Sequence, residues 1–328
     1  MKLLLVTVLA HAALGGWVDV DEWAQFKLTH SKLYADQFDE LKHMKTYATN
    51  KAYVAKHNAE ADAGLHTHWL GVNKYADMTS EEFRAQMNGY RPSEERLQGR
   101  PFQGTGRTAP DTADWRDQGA VTKPKDQGQC GSCWAFSTTG ALEGAWKLAG
   151  NDLVSLSEQQ IMDCSFDYGN DACDGGEMRY AFKYLIDNGG IMAEADYRYT
   201  ARTHHSCKYE ADKAVAHCSA STIIQSQDET ELMDAVGNVG PIAVGMDASH
   251  IDFQLYSHGI YSNNHCGTDI NDLDHGVLAV GYGSENGKNY WIVKNSWGSG
   301  WGEDGFFRMA KDDGNMCGIA SDCVYPTI

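Results

Sequence analysis

The chain has 328 residues, with 27 Lys and Arg against 45 Asp and Glu and a formal net charge of −18. All of that excess lies in residues 109–328, because the first 108 are balanced. An acidic surface repels phosphate backbones and anionic headgroups, which argues against nucleic acid and acidic membranes as partners. The length allows two domains, or one domain with an accessory region.

Residues 1–16 read as a secretory signal peptide: Lys2, a mostly apolar run from Leu3 to Leu14 interrupted by His11, then small Gly15 and Gly16. The run is shorter than the ~20 residues that a spanning helix needs. Residues 17–90 hold no cysteine and are helix-rich. Asp39, His43, Tyr47, Asn50, Val54 and Asn58 recur at helical spacing and predict one helix face. Gly71-x-Asn73-x-Tyr75-x-Asp77 follows, then Thr79-x-x-Glu82, a capping box that opens another helix. Residues 91–108, rich in Gly, Pro, Arg and Gln, predict an exposed linker. Beyond them a helix is expected over 132–149, ended by Gly150. Ser155-x-x-Glu158 predicts a second capping box. Strands are expected at 242–246, 276–282, 289–294 and 305–309. A helical half followed by a strand-rich half predicts an α+β protein of two lobes with a cleft between them.

Nine cysteines in a secreted chain predict disulfides and one leftover thiol. The candidate is Cys133, in Gln127-Gly-Gln-Cys130-Gly-Ser-Cys133-Trp134. A helix N-terminus and a nearby imidazolium both favour the thiolate. Two partners lie far downstream: His275 in Leu273-Asp-His-Gly276, and Asn295 in Lys294-Asn-Ser-Trp297. A turn centred on Glu285 would set His275 opposite Asn295 on adjacent strands, with Cβ atoms ~5 Å apart. The competing reading, a Cys130-x-x-Cys133 redox pair, would follow a βαβ pattern. Trp134 and the His and Asn partners argue otherwise.

From about Trp23 onward these segments resemble the papain-like cysteine peptidases, most closely the cathepsin L group, whose signature is Cys-Gly-Ser/Ala-Cys-Trp/Tyr with a distant His and Asn. The helical stripe is similar to the cathepsin L-type propeptide motif. Asp39, His43 and Tyr47 stand where Glu, Arg and Phe or Trp are commoner, and Thr46 replaces an apolar residue. The resemblance implies a papain-like fold, with a helical left lobe and a β-barrel-like right lobe behind a helical inhibitory prodomain. The expected segments are the signal peptide 1–16, propeptide 17–108 with linker 91–108, and mature domain 109–328. It implies a cysteine endopeptidase made as an inactive zymogen and cut near Ala109.

The same resemblance assigns roles. Cys133 is the nucleophile, His275 its base, and Asn295 the residue that fixes the ring. Gln127 and the Cys133 N–H form the oxyanion hole, and Trp297 shields the His–Asn bond. Gly175 and Gly176 pair with substrate backbone, and Glu177, Met178, Gly245, Leu273, Gly276 and Asp322 complete the substrate-binding set. The implied disulfides are Cys130–Cys173, Cys164–Cys207 and Cys266–Cys317. The two cysteines left over, Cys218 and Cys323, are expected to form a fourth, non-standard bridge.

By the same resemblance Asp322 falls at the floor of a side-chain pocket where cathepsin L-like relatives carry a small neutral residue and cathepsin B-like ones a Glu, and Glu177 replaces an apolar wall. Two carboxylates there are expected to admit Arg or Lys. His204-His205 resemble the paired histidines of the cathepsin B occluding loop, but without an insertion they predict a surface turn, which favours an endopeptidase. No cofactor or metal is expected. The expected partners are protein and peptide substrates, the chain's own propeptide and cystatin-like inhibitors, the enzyme acting as a monomer. Acid is expected to loosen the propeptide by protonating carboxylates such as Asp77. No Asn-x-Ser/Thr acceptor occurs, which tilts the expectation from lysosomal sorting towards secretion. The alternatives are a non-catalytic binding homologue and, behind it, a thiol oxidoreductase.

Overall fold

Residues 19–92 and 99–328 are described by a computed structural model, so the predicted signal segment lies outside the described residues. The N-terminal region contains α1 (Val20–Thr29), α2 (Gln37–Asp62), β1 (His68–Leu70) and α3 (Ser80–Met87). Asp19 and Asp36 cap the first two helices by accepting backbone N–H groups, and Thr79 with Glu82 closes both halves of the predicted box. Tyr47, Asn50 and Val54 of the predicted stripe are buried. Its asparagines act as latches. Asn50 donates to the carbonyls of Ala76 and Met78 at 2.9 Å each, and Asn58 bonds both backbone groups of Leu70.

The rest of the chain forms β2 (Arg100–Pro101), β3 (Ala113–Asp114), α4 (Cys133–Leu148), α5 (Glu158–Cys164), α6 (Met178–Asn188), β4 (Ile191–Met192), β5 (Ala214–Ala216) and β6 (Ala220–Ile223). It continues with α7 (Glu229–Asn238), β7 (Ile242–Met246), α8 (Ile251–Gln254), β8 (Tyr256–Tyr261), β9 (His275–Glu285), β10 (Lys288–Lys294), β11 (Phe306–Ala310) and β12 (Cys323–Thr327). The cap of α5 is Ser157, which accepts from the Gln160 N–H at 3.0 Å, rather than Ser155. Glu158 turns away from the expected box to bind Lys125 and Thr139, each at 2.5 Å.

The large sheet runs β1-β8-β11-β10-β9-β7-β12-β6-β2, with β3 on β9. Its two faces serve two cores, which is why its strands read as continuous apolar runs. Ile242, Val244, Val277, Ala279, Trp291, Val293 and Phe307 pack in one core; Ala243, Leu278, Val280, Ile292 and Phe306 join α4, α5 and α6 in the other. The N-terminal region supplies one outer strand, with β1 antiparallel to β8. The segment expected to be an exposed linker supplies the other. β2 pairs in parallel with β6 while Arg100 and Pro101 stay exposed, so the expectation of exposure is corrected only at the buried Phe102.

Two further expectations need correcting. The β9–β10 turn is the two-residue Asn286-Gly287, both at positive φ, so it is not centred on Glu285. Ile292 pairs with Gly281 but Val293 pairs with Ala279, which leaves Val280 as a bulge. The expected Cys218–Cys323 bridge is absent: both thiols are unbonded and buried, while the three other pairs are bonded as implied. Register explains why. Thr327 pairs with Ala220 and Ser219 N–H donates to Thr327 O, so Cys218 lies beyond the far end of β12 while Cys323 begins it. Five residues of strand separate them by ~16 Å, well beyond the ~7 Å between Cα atoms that a disulfide tolerates.

Candidate active site

Helix α4 starts at Cys133 with no side-chain cap from Ser132, leaving its first N–H groups free of intrahelical partners. The start of β9 runs directly against this first turn. A Cβ on Gly276 would sit 3.2 Å from Trp134 N and Cα, and 3.4 Å from the Cys133 carbonyl carbon. The missing side chain lets His275 reach the neighbourhood of Cys133.

His275 Nε2 lies 2.9 Å from Asn295 Oδ1, which also accepts the Ser296 N–H at 2.8 Å. An oxygen accepting twice requires Nε2 to carry the proton, leaving Nδ1 with a lone pair and, among the described residues, no partner. Trp297 stacks on the ring at 4.6 Å between centroids. The expected contact is therefore present, though by a different route. Continuing the register places Asn295 opposite Val277, with His275 two residues along and on the same face. Without the Val280 bulge the parity would change and the two side chains would point to opposite faces.

Gln127 Nε2 donates to Cys130 O and to Met87 O, both at 2.8 Å, and its Oε1 accepts from Ser296 Oγ at 2.6 Å. The second acceptor comes from the N-terminal region. Residues 87–91 lie along the cleft: Gly176 N–H donates to Gly89 O at 2.9 Å, Arg91 N–H to Gly176 O at 3.0 Å, and Tyr90 N–H to Asp274 O at 3.0 Å. A Cβ on Gly89 would lie 1.8 Å from Gly131 O, and one on Gly175 2.8 Å from Gly89 O. Under this cover, burial pushes the Cys133 thiol up to about 11, partly offset by the N–H groups of Gly276, Gly89 and Trp134. Burial likewise lowers His275 to about 4. Burial under this cover thus favours the neutral form of both groups.

Tyr90 fills a pocket beside Gly176. Its ring lies where a Gly245 Cβ would meet it at 2.8 Å and Leu273 flanks that position, while its hydroxyl bonds Asp322. Gly245 N–H donates to Asp322 O at 2.9 Å, and Met178, in the same apolar cluster, receives Ser137 Oγ on its sulfur at 3.1 Å. Glu177 caps α6 and lies 3.7 Å from Arg179 Nε; burial and then the Asp322 charge raise it to about 8. Arg179 also pairs with Asp322. The sequence reading missed Arg179. Its role depends on burial between Glu177 and Asp322, which leaves no local signal in the sequence. It also missed the aromatic docking of α3: Phe83 and Tyr75 meet the Trp297 ring edge-on at 5.0 and 5.9 Å. His204 is half-buried in an irregular segment and the exposed His205 lies at a bend.

Comparison with known proteins agrees with this geometry. Residues 109–327 match "Papain family cysteine protease", and residues 23–83 match "Cathepsin propeptide inhibitor domain (I29)". The chain is 45% identical over 338 residues to cathepsin L1 of Drosophila melanogaster, spanning 100% of this chain and 90% of that protein. It is 46% identical over 306 residues to digestive cysteine proteinase 3 of Homarus americanus, spanning 93% and 94%. Among solved structures, digestive procathepsin L 3 of the Tenebrio molitor larval midgut superposes with a TM-score of 0.88 at 44% identity, covering 94% of this chain and 98% of that one. The buried thiol, the histidine held by an asparagine and the peptide laid across them thus have a shared ancestry: the chain belongs to the papain family of cysteine proteases, in the cathepsin L-type form that carries its own propeptide inhibitor.

Proposed function

We propose that residues 109–328, once released from residues 17–108, hydrolyse internal peptide bonds through Cys133, His275, Asn295 and Gln127. Release of the cover rehydrates the cleft, removing the burial that holds both groups neutral, and the proton moves from Cys133 Sγ to His275 Nδ1. The thiolate attacks the peptide carbonyl carbon, and the C=O electron pair moves onto oxygen, where Gln127 Nε2–H and the Cys133 N–H receive it. Collapse expels the amine, which takes the Nδ1 proton and leaves a thioester. Water, deprotonated by the same Nδ1, then releases the acid and the thiol. Asn295 holds the ring in the required tautomer throughout, and Trp297 keeps water from that bond.

One observation carries this reading: Gln127 already holds a peptide carbonyl, that of Met87, at the mouth of the buried thiol. Acid-treated protein is expected to cleave small peptide substrates. A thiol alkylator or Cys133→Ala should abolish that cleavage. Turnover surviving either treatment would defeat the assignment, and absence of any turnover would leave the non-catalytic homologue.

The proposed setting is extracellular digestion. Relatives named digestive in lobster and mealworm midgut, and the lack of Asn-x-Ser/Thr acceptors, support it. The precursor should then accumulate in the medium of expressing cells, whereas intracellular retention would favour the lysosome. The opened cleft also suits a cystatin-like inhibitor, and the enzyme is proposed to act as a monomer.

A further inference from the structure

We propose that the pocket holding Tyr90 is a hydroxyl-reading specificity pocket, in which Asp322, held by Arg179, selects tyrosine over phenylalanine, leucine and basic side chains. The inference rests on the peptidase reading and names the substrate class of that same site.

The two oxygens of Asp322 have different partners. Oδ1 pairs with Arg179 Nη2, and Oδ2 accepts the Tyr90 hydroxyl. Asp322 and Tyr90 are each 2% exposed, so water does not compete for either bond. Gly245 leaves room for an aromatic ring: a Cβ there would lie 2.8 Å from Tyr90 Cε1. When the propeptide leaves, Oδ2 loses its donor. A phenol entering from substrate restores that bond, while Phe or Leu would bury Oδ2 without one. Sites built to bond a hydroxyl reject the analogue that lacks it, because their own polar group is left unpaired.

Basic side chains fail for a different reason. Two carboxylates alone would have suited Arg or Lys, but the Arg179 guanidinium already stands between them, paired with Asp322 and 3.7 Å from Glu177. A second cation would be placed against it in a buried site. An acidic side chain would meet Asp322. The pocket reads a side chain, so the direction of the main chain past Gly176 does not enter.

The test uses the full chain matured in acid and four fluorogenic dipeptide substrates with Arg next to the cut and Tyr, Phe, Leu or Arg before it. Rates are referred to active sites counted with an irreversible thiol probe, so misfolded protein drops out. The expected result is a kcat/KM for Tyr at least about tenfold above Phe, with the Arg substrate slowest. In Asp322→Ala/Arg179→Met the Tyr-to-Phe ratio should fall to one or below. In Arg179→Met alone the Arg substrate should gain most, because the Asp322 carboxylate then faces the pocket without its cation. Phe equal to Tyr in the native enzyme, the Arg substrate preferred in the native enzyme, or a ratio unmoved in the double variant would overturn the proposal while leaving the peptidase reading intact. No turnover of any substrate and no titratable thiol would instead defeat both.

Discussion

Gly89 decides how closely the propeptide can pass over Cys133. Any Cβ there would lie 1.8 Å from Gly131 O and 2.3 Å from its carbon, and backbone cannot yield as a side-chain tip can. Gly89→Ala should therefore lift residues 87–91 and expose Cys133. The check is the rate at which Cys133 is alkylated in intact precursor at neutral pH, read by peptide mapping: fast in the variant, negligible in the native protein. Equal protection would mean the close approach is not what seals the site. The same mapping tests the leftover thiols. Cys218 and Cys323 should be alkylated only after denaturation and never recovered as a linked peptide. At this scale the positions of the candidate site were largely legible, because the proposed roles of nucleophile, base, orienting amide and oxyanion donor each admit few residue types. Arg179 was not, because a charge that acts by being buried between two others has no local signature, and burial is a tertiary property.

At the scale of elements, the propeptide arrives through α3. Its capping box sets where the helix begins, and that start aims Phe83 at Trp297, the same indole that covers the His275–Asn295 bond. Phe83 is 1% exposed and packs among Tyr75, Met78 and Trp297. Phe83→Ala should weaken docking by about 3 kcal/mol or more, roughly a hundredfold in self-inhibition. The check is leak activity of intact precursor against a small peptide, with the enzyme released by the proposed cut near Ala109 unchanged. A tight precursor would show that docking rests elsewhere. Helices α2 to α5 and strands β7, β9, β10 and β11 could be read from the sequence because their signals are local: the α2 stripe, the Thr79 box and the stop at Gly150. Register could not. The His275–Asn295 contact was expected from a symmetric turn, but it arises from an Asn286-Gly287 turn and a bulge at Val280, and only backbone pairing reveals a bulge. The same weakness produced the Cys218–Cys323 expectation, which matched two leftover cysteines without knowing that they stand at opposite ends of one strand.

At the scale of the whole molecule, the N-terminal region is expected to hold at neutral pH and to let go in acid. Asp77, the expected trigger, bonds Lys32 at 2.7 Å and Tyr34 at 2.8 Å, partners within the N-terminal region itself. The β1–β8 seam between the two parts contains a histidine cluster instead. His68 is 1% exposed, and neither ring nitrogen has a hydrogen-bond partner among the described residues. His57 and His66 of the N-terminal region lie 4.7 and 6.1 Å from it between ring centroids, with Glu60 bonded to His66. From the other side Tyr261 faces it at 4.8 Å, Tyr256 at 6.3 Å, and the Asp252 carboxylate lies 3.9 Å away. Burial first, then the charges of His57 and His66, lower His68 to about 3. A depressed histidine means that the undocked state binds more protons than the docked one. Docking is therefore strongest above pH ~6.5, and this contribution is lost as the pH falls from there towards about 3. At pH 4.5 the lost contribution is about 2–3 kcal/mol, from roughly two pH units at ~1.4 kcal/mol each. His68→Phe keeps an aromatic ring at the seam but cannot take a proton. The variant precursor should stay docked at pH 4.5 and mature some tens of times more slowly than the native chain, with equal activity once matured. Maturation at the native rate would remove His68 as the acid sensor and return that role to carboxylates such as Asp77.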